Sequence, residues 1–312
     1  MAPKDRHENG RRTEIISIAL PSARGTNCAA FEEYGETFMS VSQAEKARKF
    51  RALHDAPGAF VIANPWDAGS ARVLAGLGFQ ALASSSGAKA AVLGKRDGKV
   101  TREEALANAR MIVNATDLPV AADLEKGFGD TPNDAAETIR QAAGVGLVGG
   151  SIEDATGNPD QPLFDIDTAT VRIKAAVEAA RSLPVPFILT ARAEGFLRGK
   201  PDLGDVIKRL QAFEAAGADV LFAPGLPDLA SVKKVCGALR KPFNFMVGIR
   251  GKSFSKAELE AAGVKRISLA TSLYRAAMTG LIEAATEVKD KGTFSYLDRT
   301  VPTPDLNAFM KD

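Results

Sequence analysis

The sequence predicts an α/β fold, a (β/α)8 barrel of the TIM type with a C-terminal helical extension. Three observations predict it. Eight short apolar runs recur along the chain, each reached through a helical segment, and such alternation implies a parallel sheet buried on both faces. The 312 residues hold a barrel of ~250 residues with a tail to spare. Several runs end in polar residues, and in a barrel the chemistry sits where strands pass into βα loops. A doubly wound open sheet is the alternative, because sequence does not report closure.

Residues 1–38 show no periodicity and are expected to form a disordered extension, leaving the barrel and its C-terminal helices to residues 39–312. Arg11-Arg12 precede an apolar stretch, Ile15 to Leu20, that is shorter than the ~7–15 residues of a signal h-region. A helix from Val41 to His54 leads to the first run, Ala59 to Ala63. Ala81 to Ser84, Pro119 to Asp123, Leu147 to Glu153 and Phe187 to Ala191 follow. Val220 to Ala223, Phe243 to Val247 and Arg266 to Ala270 complete the eight.

The intervening helices carry their own start and stop signals. Thr101-Arg102-Glu103-Glu104 sets a hydroxyl cap and early acids before Ala105 to Asn114. Gly144, Gly217 and Gly263 follow alanine pairs and are expected to end helices in the left-handed conformation. Gly144-Val145-Gly146-Leu147-Val148-Gly149 spells GxGxxG, but a dinucleotide site needs a strand before the motif and a helix after it. Here the order is reversed. After the last long helix, Leu273 to Val288, an apolar tail of Phe294, Tyr296, Leu297, Leu306 and Phe309 needs a partner surface. A homo-oligomer, dimer or tetramer, assembled through these C-terminal helices would provide one.

With 40 basic and 38 acidic side chains, the net charge of +2 leaves no electrostatic footprint for nucleic acid or a membrane surface. No apolar run approaches the ~18 residues of a membrane span. Cys28 and Cys236 lack CxxC spacing, which argues against zinc and a disulfide framework and fits a reducing cytoplasm.

The densest chemistry lies in Ala121 to Asp130. On a strand, residues i and i+2 share a side, so Asp123 and Glu125 are expected to converge at one strand end. Two such anions need a cation, and a hard oxygen-ligated ion fits, Mg²⁺ first and Mn²⁺ as its alternative. The chain's two histidines, His7 and His54, lie away from every strand end. The other strand ends contribute Asn64-Pro65-Trp66-Asp67, Ser84 to Gly87 with the following loop to Asp97, Glu153-Asp154, Arg192 with Glu194, and Asn244. Asp67 reads better as a helix N-cap than as a ligand. Ser84 to Gly87 is a small-residue turn or a backbone anion nest. Glu194 is either a site acid or only a holder of Arg192, and Asp97 either a site acid or only a turn residue. Together they suit a divalent ion chelated by a small dianion that an arginine neutralises at its far end.

These residues, in this order, resemble the isocitrate lyase/phosphoenolpyruvate mutase superfamily from about Met39 to about Phe294. The resemblance rests on Asn64-Pro-Trp-Asp-Ala-Gly-Ser-Ala-Arg72, Asp123-Leu-Glu-Lys-Gly-Phe-Gly129, Ser151-Ile-Glu-Asp154 and Thr190-Ala-Arg192. It implies Asp123 as a direct Mg²⁺ ligand, with Glu125, Glu153 and Asp97 acting largely through metal-bound water. It also implies a substrate-carboxylate turn at Ser85, Ser86 and Gly87, with Arg192 and Asn244 facing the substrate. Trp66 joins the substrate-binding set, and Arg192, Asp97 and Glu125 form the catalytic set. The loop Ala155 to Phe164 stands where isocitrate and methylisocitrate lyases carry Lys-Lys-Cys-Gly-His. It has no cysteine, lysine or histidine, which disfavours those two activities. It is expected to act as a mobile lid, with Asn158 donating to the substrate.

The sequence thus supports a Mg²⁺-dependent lyase acting on a small 2-oxo acid, by oxaloacetate-type decarboxylation or C–C cleavage through a stabilised enolate. A C–P bond enzyme acting on a phosphonate is the first alternative and a non-catalytic 2-oxo acid binding protein the second. A Schiff-base aldolase is disfavoured, since no strand run carries a lysine.

Overall fold

Eight parallel strands and the helices between them make one closed circuit in the computed structural model, which describes residues 41–310. The expectation for residues 1–38 lies outside the described residues. In chain order the elements are α1 (Gln43–Asp55), β1 (Phe60–Ile62), α2 (Ala68–Gly76), β2 (Leu82–Ala83), α3 (Ser86–Val92), α4 (Arg102–Asn114), β3 (Val120–Asp123), α5 (Pro132–Gly144) and β4 (Gly149–Glu153). They continue with α6 (Ile166–Arg181), β5 (Ile188–Arg192), α7 (Leu203–Ala215), β6 (Val220–Phe222), α8 (Leu229–Gly237), β7 (Phe243–Met246), α9 (Lys256–Ala261), β8 (Arg266–Ser268) and α10 (Ser272–Lys291). A 3-10 turn (Ser295–Arg299) and α11 (Thr303–Asn307) follow.

The sheet runs β1-β8-β7-β6-β5-β4-β3-β2. It closes between β1 and β2 through one parallel bridge, Ala63 to Leu82. There Ala63 N–H donates to Ala81 O at 3.3 Å and Ala83 N–H donates to Ala63 O at 2.9 Å. Among the described residues no sheet edge is left unpaired, and the open-sheet alternative falls away.

Apolar packing divides by face. Side chains on the outer face of the strands pack against the helices in one large cluster that includes Leu124, Ile152, Leu189, Leu221 and Ile267. Inside the barrel, Phe60, Ile62, Ala81, Ala121, Ile188 and Val220 form an apolar plug with Ala47 and Phe50 of α1. α1 therefore seals the N-terminal end of the barrel, leaving the strand C-termini for chemistry. Its start is fixed by a capping box between Ser42 and Glu45. Its seat depends on Gly149, where a Cβ would lie 2.8 Å from the Phe50 ring.

Thr101 caps α4 as its sequence predicts, and Asp67 caps α2. Gly217 and Gly263 adopt left-handed φ values of +101° and +96°. Gly144 corrects one expectation: α5 still includes it, and the left-handed turn falls on Gly146 at φ +93°. Two further residues are needed to reverse the chain into β4. Among the described residues no helix is long and apolar enough to cross a membrane.

Candidate active site

The site assembles at the C-terminal ends of β3, β4 and β5. Parallel register places Asp123 beside Ser151, and Glu153 beside Arg192. Arg192 is buried and central. Its Nη1 lies 2.9 Å from Asp123 Oδ2, and its Nη2 lies 3.2 Å from Glu153 Oε2 and 2.7 Å from Glu194 Oε1. Arg198, on the loop after β5, adds a second cation 3.1 Å from Glu153 Oε1 and 3.4 Å from Glu194 Oε2.

Asp123 and Glu125 do meet, but not through strand alternation. β3 ends at Asp123, and Glu125 turns into the left-handed region at φ +53°, uncommon for a residue with a side chain. A short turn sets the geometry: Glu125 N–H donates to Asp123 Oδ1 at 3.0 Å. Ser86 N–H donates to Asp123 Oδ2 at 3.4 Å, and Asp123 N–H donates to Ser84 Oγ at 3.2 Å. Beneath this pair lies Lys89 of α3, only 1% exposed. Its Nζ donates to Asp123 O at 3.1 Å and sits 3.3 Å from Glu125 Oε1. That last contact is an ion pair without hydrogen-bond alignment, so among the described residues the buried Glu125 Oε1 has no hydrogen-bond donor.

Charge state follows from these neighbours. Burial pushes the Asp123 carboxyl up, but Arg192 and Lys89 outweigh it and bring it to about 2. Burial raises Glu125, with Lys89 opposing and Asp123 adding to the rise. Burial and then the Glu194 charge raise Glu153 well above the ordinary carboxylate range. Arg192 loses hydration, yet Asp123, Glu194 and Glu153 keep it protonated beyond its ordinary range. Asp154 faces away from the acid cluster. It accepts Glu194 N–H at 2.8 Å and pairs with Arg209 Nη1 at 3.1 Å, while burial lifts it to about 6.

Below the acids, Asn64, Ser84, Ser85, Ser151, Thr190 and Ser268 give the barrel a neutral polar lining. The cavity offers about 80 Å³ to the centres of water-sized molecules, room for a small acid rather than a nucleotide. At its floor Arg266 of β8 donates from Nε to Asn244 Oδ1 at 2.8 Å and from Nη2 to Thr190 Oγ1 at 2.8 Å. His54 completes the floor. Its Nδ1–H can donate only to Phe50 O, 2.8 Å away, which leaves Nε2 to accept from Arg266 Nη1 at 3.4 Å. Burial and then Arg266 hold this imidazole down at about 3.

The structure brings Asp123, Glu125, Glu153, Arg192, Ser85 and Asn244 to one region. Ser86 contributes its N–H to Asp123, and Gly87 admits close neighbours: a Cβ there would lie 2.8 Å from Thr271 Cγ2 and 3.4 Å from Asp97 Oδ2. Asp97 is exposed, yet its charge reaches Glu125. Trp66 stands apart. It packs edge-on against Tyr274 at 5.4 Å and lines a separate apolar groove with Leu273, Leu306 and Met310. Asn158 is exposed and spends its Oδ1 on Asp160 N–H at 3.0 Å, within a loop closed by an Ala155–Leu163 bridge.

Whether the acids fit a divalent cation is decided by their free valences. Among the described residues no three acidic, histidine or cysteine side chains form a ready-made cage, and Glu153 is held by its two arginines. An ionised Asp123 beside a buried, undonated Glu125 oxygen nevertheless fits an ion ligated directly by one acid and through water by the others.

The chain matches the family profile described as phosphoenolpyruvate phosphomutase over residues 50–289. It belongs to the phosphoenolpyruvate mutase/isocitrate lyase superfamily. A solved structure from Burkholderia cenocepacia, of a protein described only by the general class lyase/mutase, is 50% identical with a TM-score of 0.84, covering 86% of this chain and 96% of that one. Oxaloacetate decarboxylase of Chromohalobacter salexigens is 27% identical across 80% of this chain and 87% of its own. The 2-methylisocitrate lyase of Escherichia coli is 28% identical across 85% and 91%. Within this superfamily fold, sequence reasoning missed Lys89, Arg198 and Arg266. A lone lysine in the small-residue helix Ser86–Val92 and a lone arginine opening an apolar strand were the available signals.

Proposed function

We propose that this protein is a lyase that uses a divalent cation, Mg²⁺ first, to cleave a small 2-oxo acid of the oxaloacetate type. The observation that carries the reading is Asp123, kept ionised at the cavity mouth and paired at 2.9 Å with a buried Arg192. Asp123 would hold the ion directly, with Glu125 and Glu153 reaching it through water. Bound there, the ion supplies the positive charge that stabilises the electron pair left on the 2-oxo fragment when the bond beyond C3 breaks.

The chain's own residues do the rest. Arg192 would meet the substrate's anionic group from the side opposite Glu194, which fixes the guanidinium through Nε and Nη2 at 3.1 and 2.7 Å. Ser84 and Ser85 present hydroxyls to the cavity, while Asn64 and Asn244 are oriented by the strands around them. Decarboxylation needs no base to begin, so a β4–α6 loop without cysteine is no obstacle. The oxaloacetate decarboxylase likeness supports this choice of bond. The family profile, described by a phosphomutase, keeps C–P cleavage as the second reading.

Self-association belongs to the same proposal. α10 spans 20 residues without burying one, and Leu281 and Ile282 stand exposed on it. A cytoplasmic setting suits the two cysteines, Cys28 and Cys236, which lack CxxC spacing. A screen of oxaloacetate against phosphonopyruvate with Mg²⁺ separates the two chemistries. Product from oxaloacetate alone supports the first reading, product from the phosphonate alone supports the second, and binding without turnover of either refutes both.

A further inference from the structure

Lys89 is the only charged residue of α3, and its ammonium is sealed between the turn after β2 and the two acids that follow β3. Helical side chains lean toward the helix N-terminus, so this lysine reaches back under Ser85 to Gly87 rather than out to solvent. There it meets Asp123 O at 3.1 Å and Glu125 Oε1 at 3.3 Å, with the Phe128 ring 5.3 Å from Nζ. The segment that shapes this nest is unusual in itself. Glu125 and Phe128 both hold left-handed φ values, +53° and +57°, a conformation that persists only where its surroundings impose it.

The lysine does not line the cavity, so it touches Glu125 and the backbone of Asp123 rather than a ligand. A fixed ammonium in that place competes with any incoming cation for the Glu125 charge. Its flexible stem and compact charge suit the task better than a planar guanidinium, which would demand more partners.

We propose that Lys89 is a positioning residue that commits Glu125 to an internal ion pair, leaving Asp123, whose Oδ2 meets Arg192 but whose Oδ1 takes the Glu125 N–H, to offer that Oδ1 to a divalent cation. This rests on the divalent-cation reading above. Glu125 then contributes its place and a water-bonding oxygen, but little net charge. The site binds its ion less tightly than two free carboxylates would, and the ion becomes exchangeable with ligand binding.

Mn²⁺ titration of four proteins tests this without any turnover: wild type, Glu125→Gln, Lys89→Met and the double variant. With Glu125 already neutralised, Glu125→Gln changes Mn²⁺ affinity by less than about 5-fold, whereas Lys89→Met tightens it by about 10-fold or more. In the Lys89→Met background the same Glu125→Gln change weakens binding by about 10-fold, and that coupling is the signature of the pair. In the metal-free proteins Lys89→Met melts lower than the double variant, because only the single variant leaves a buried carboxylate alone. A loss of more than about 5-fold on Glu125→Gln in the wild-type background, or no tightening on Lys89→Met, overturns the proposal. Should Lys89→Met not fold, the Glu125→Gln result decides by itself. Asp123→Asn separates the two levels. If it leaves Mn²⁺ affinity intact, the cation reading fails. If it abolishes binding while the four-protein cycle shows no coupling, only the role of Lys89 fails.

Discussion

At the rim of the barrel three cations, Lys89, Arg192 and Arg198, are shared among four carboxylates, Asp123, Glu125, Glu153 and Glu194. At the floor Arg266 is just as buried, yet among the described residues it has no carboxylate partner. It is held by Asn244, Thr190 and His54, and burial lowers it to about 9. The same side-chain type therefore serves two ends. Rim charges are matched one against another. The floor charge is fixed by neutral groups and by the Phe50–His54–Phe60 ring stack, which belongs to the barrel's seal.

The sharpest break of this contrast is Asp123→Asn. Removing the ionised oxygen that faces the cavity should lower turnover by ~10³-fold or more and abolish divalent-cation binding by calorimetry. Glu125→Gln should fall far short of both effects. A ranking the other way would place the direct ligand at Glu125.

Stability distinguishes the two arginines. Arg192→Met strands buried carboxylates and should cost about 3–5 kcal/mol in urea unfolding. Arg266→Met removes an uncompensated charge together with its hydrogen bonds and should cost no more than about 1–2 kcal/mol. Equal losses would mean that the floor is as charge-matched as the rim.

A smaller effect belongs to Asp154, which lies between the site and the α7 helix through Arg209. Its carboxyl is raised from 3.8 to about 6 in the fold, so the folded state holds this proton more tightly than the unfolded chain. The stability this gives is present below pH 4 and is lost as pH rises through 6, about 3 kcal/mol over that window. Asp154→Asn should flatten this part of the stability curve. An unchanged slope between pH 4 and 6.5 would assign the pH dependence elsewhere. The smallest effect is expected at Asn158, which is exposed and holds its Oδ1 on Asp160 N–H inside its own loop: Asn158→Ala should change turnover by less than about 2-fold. A larger loss would restore the lid contact that the sequence suggests.

Much of the fold was legible because barrel strands announce themselves as apolar runs between helices. Seven of the eight runs contain their strand, trimmed by one or two residues where the ends pass into loops, and the fifth strand runs one residue past its run, to Arg192. The acids and Arg192 were legible for a related reason: a polar residue at the C-terminal end of an apolar run sits at the level of the rim. Lys89 and Arg266 were not, because their meaning lies in partners distant along the chain, Glu125 for one and His54 for the other. Trp66 and Asn158 show the limit of reading loops. Adjacency to a strand end does not fix which way a side chain turns, and one packs on Tyr274 while the other bonds to Asp160.

The most direct measurement is oxaloacetate consumption followed by NMR, with saturating Mg²⁺, for the wild type and Asp123→Asn side by side. Both samples share the spontaneous, metal-promoted background, so the difference between them is the enzyme. Pyruvate should accumulate far faster with the wild type, and the variant should be no faster than protein-free Mg²⁺. Equal rates in all three samples would contradict the lyase reading.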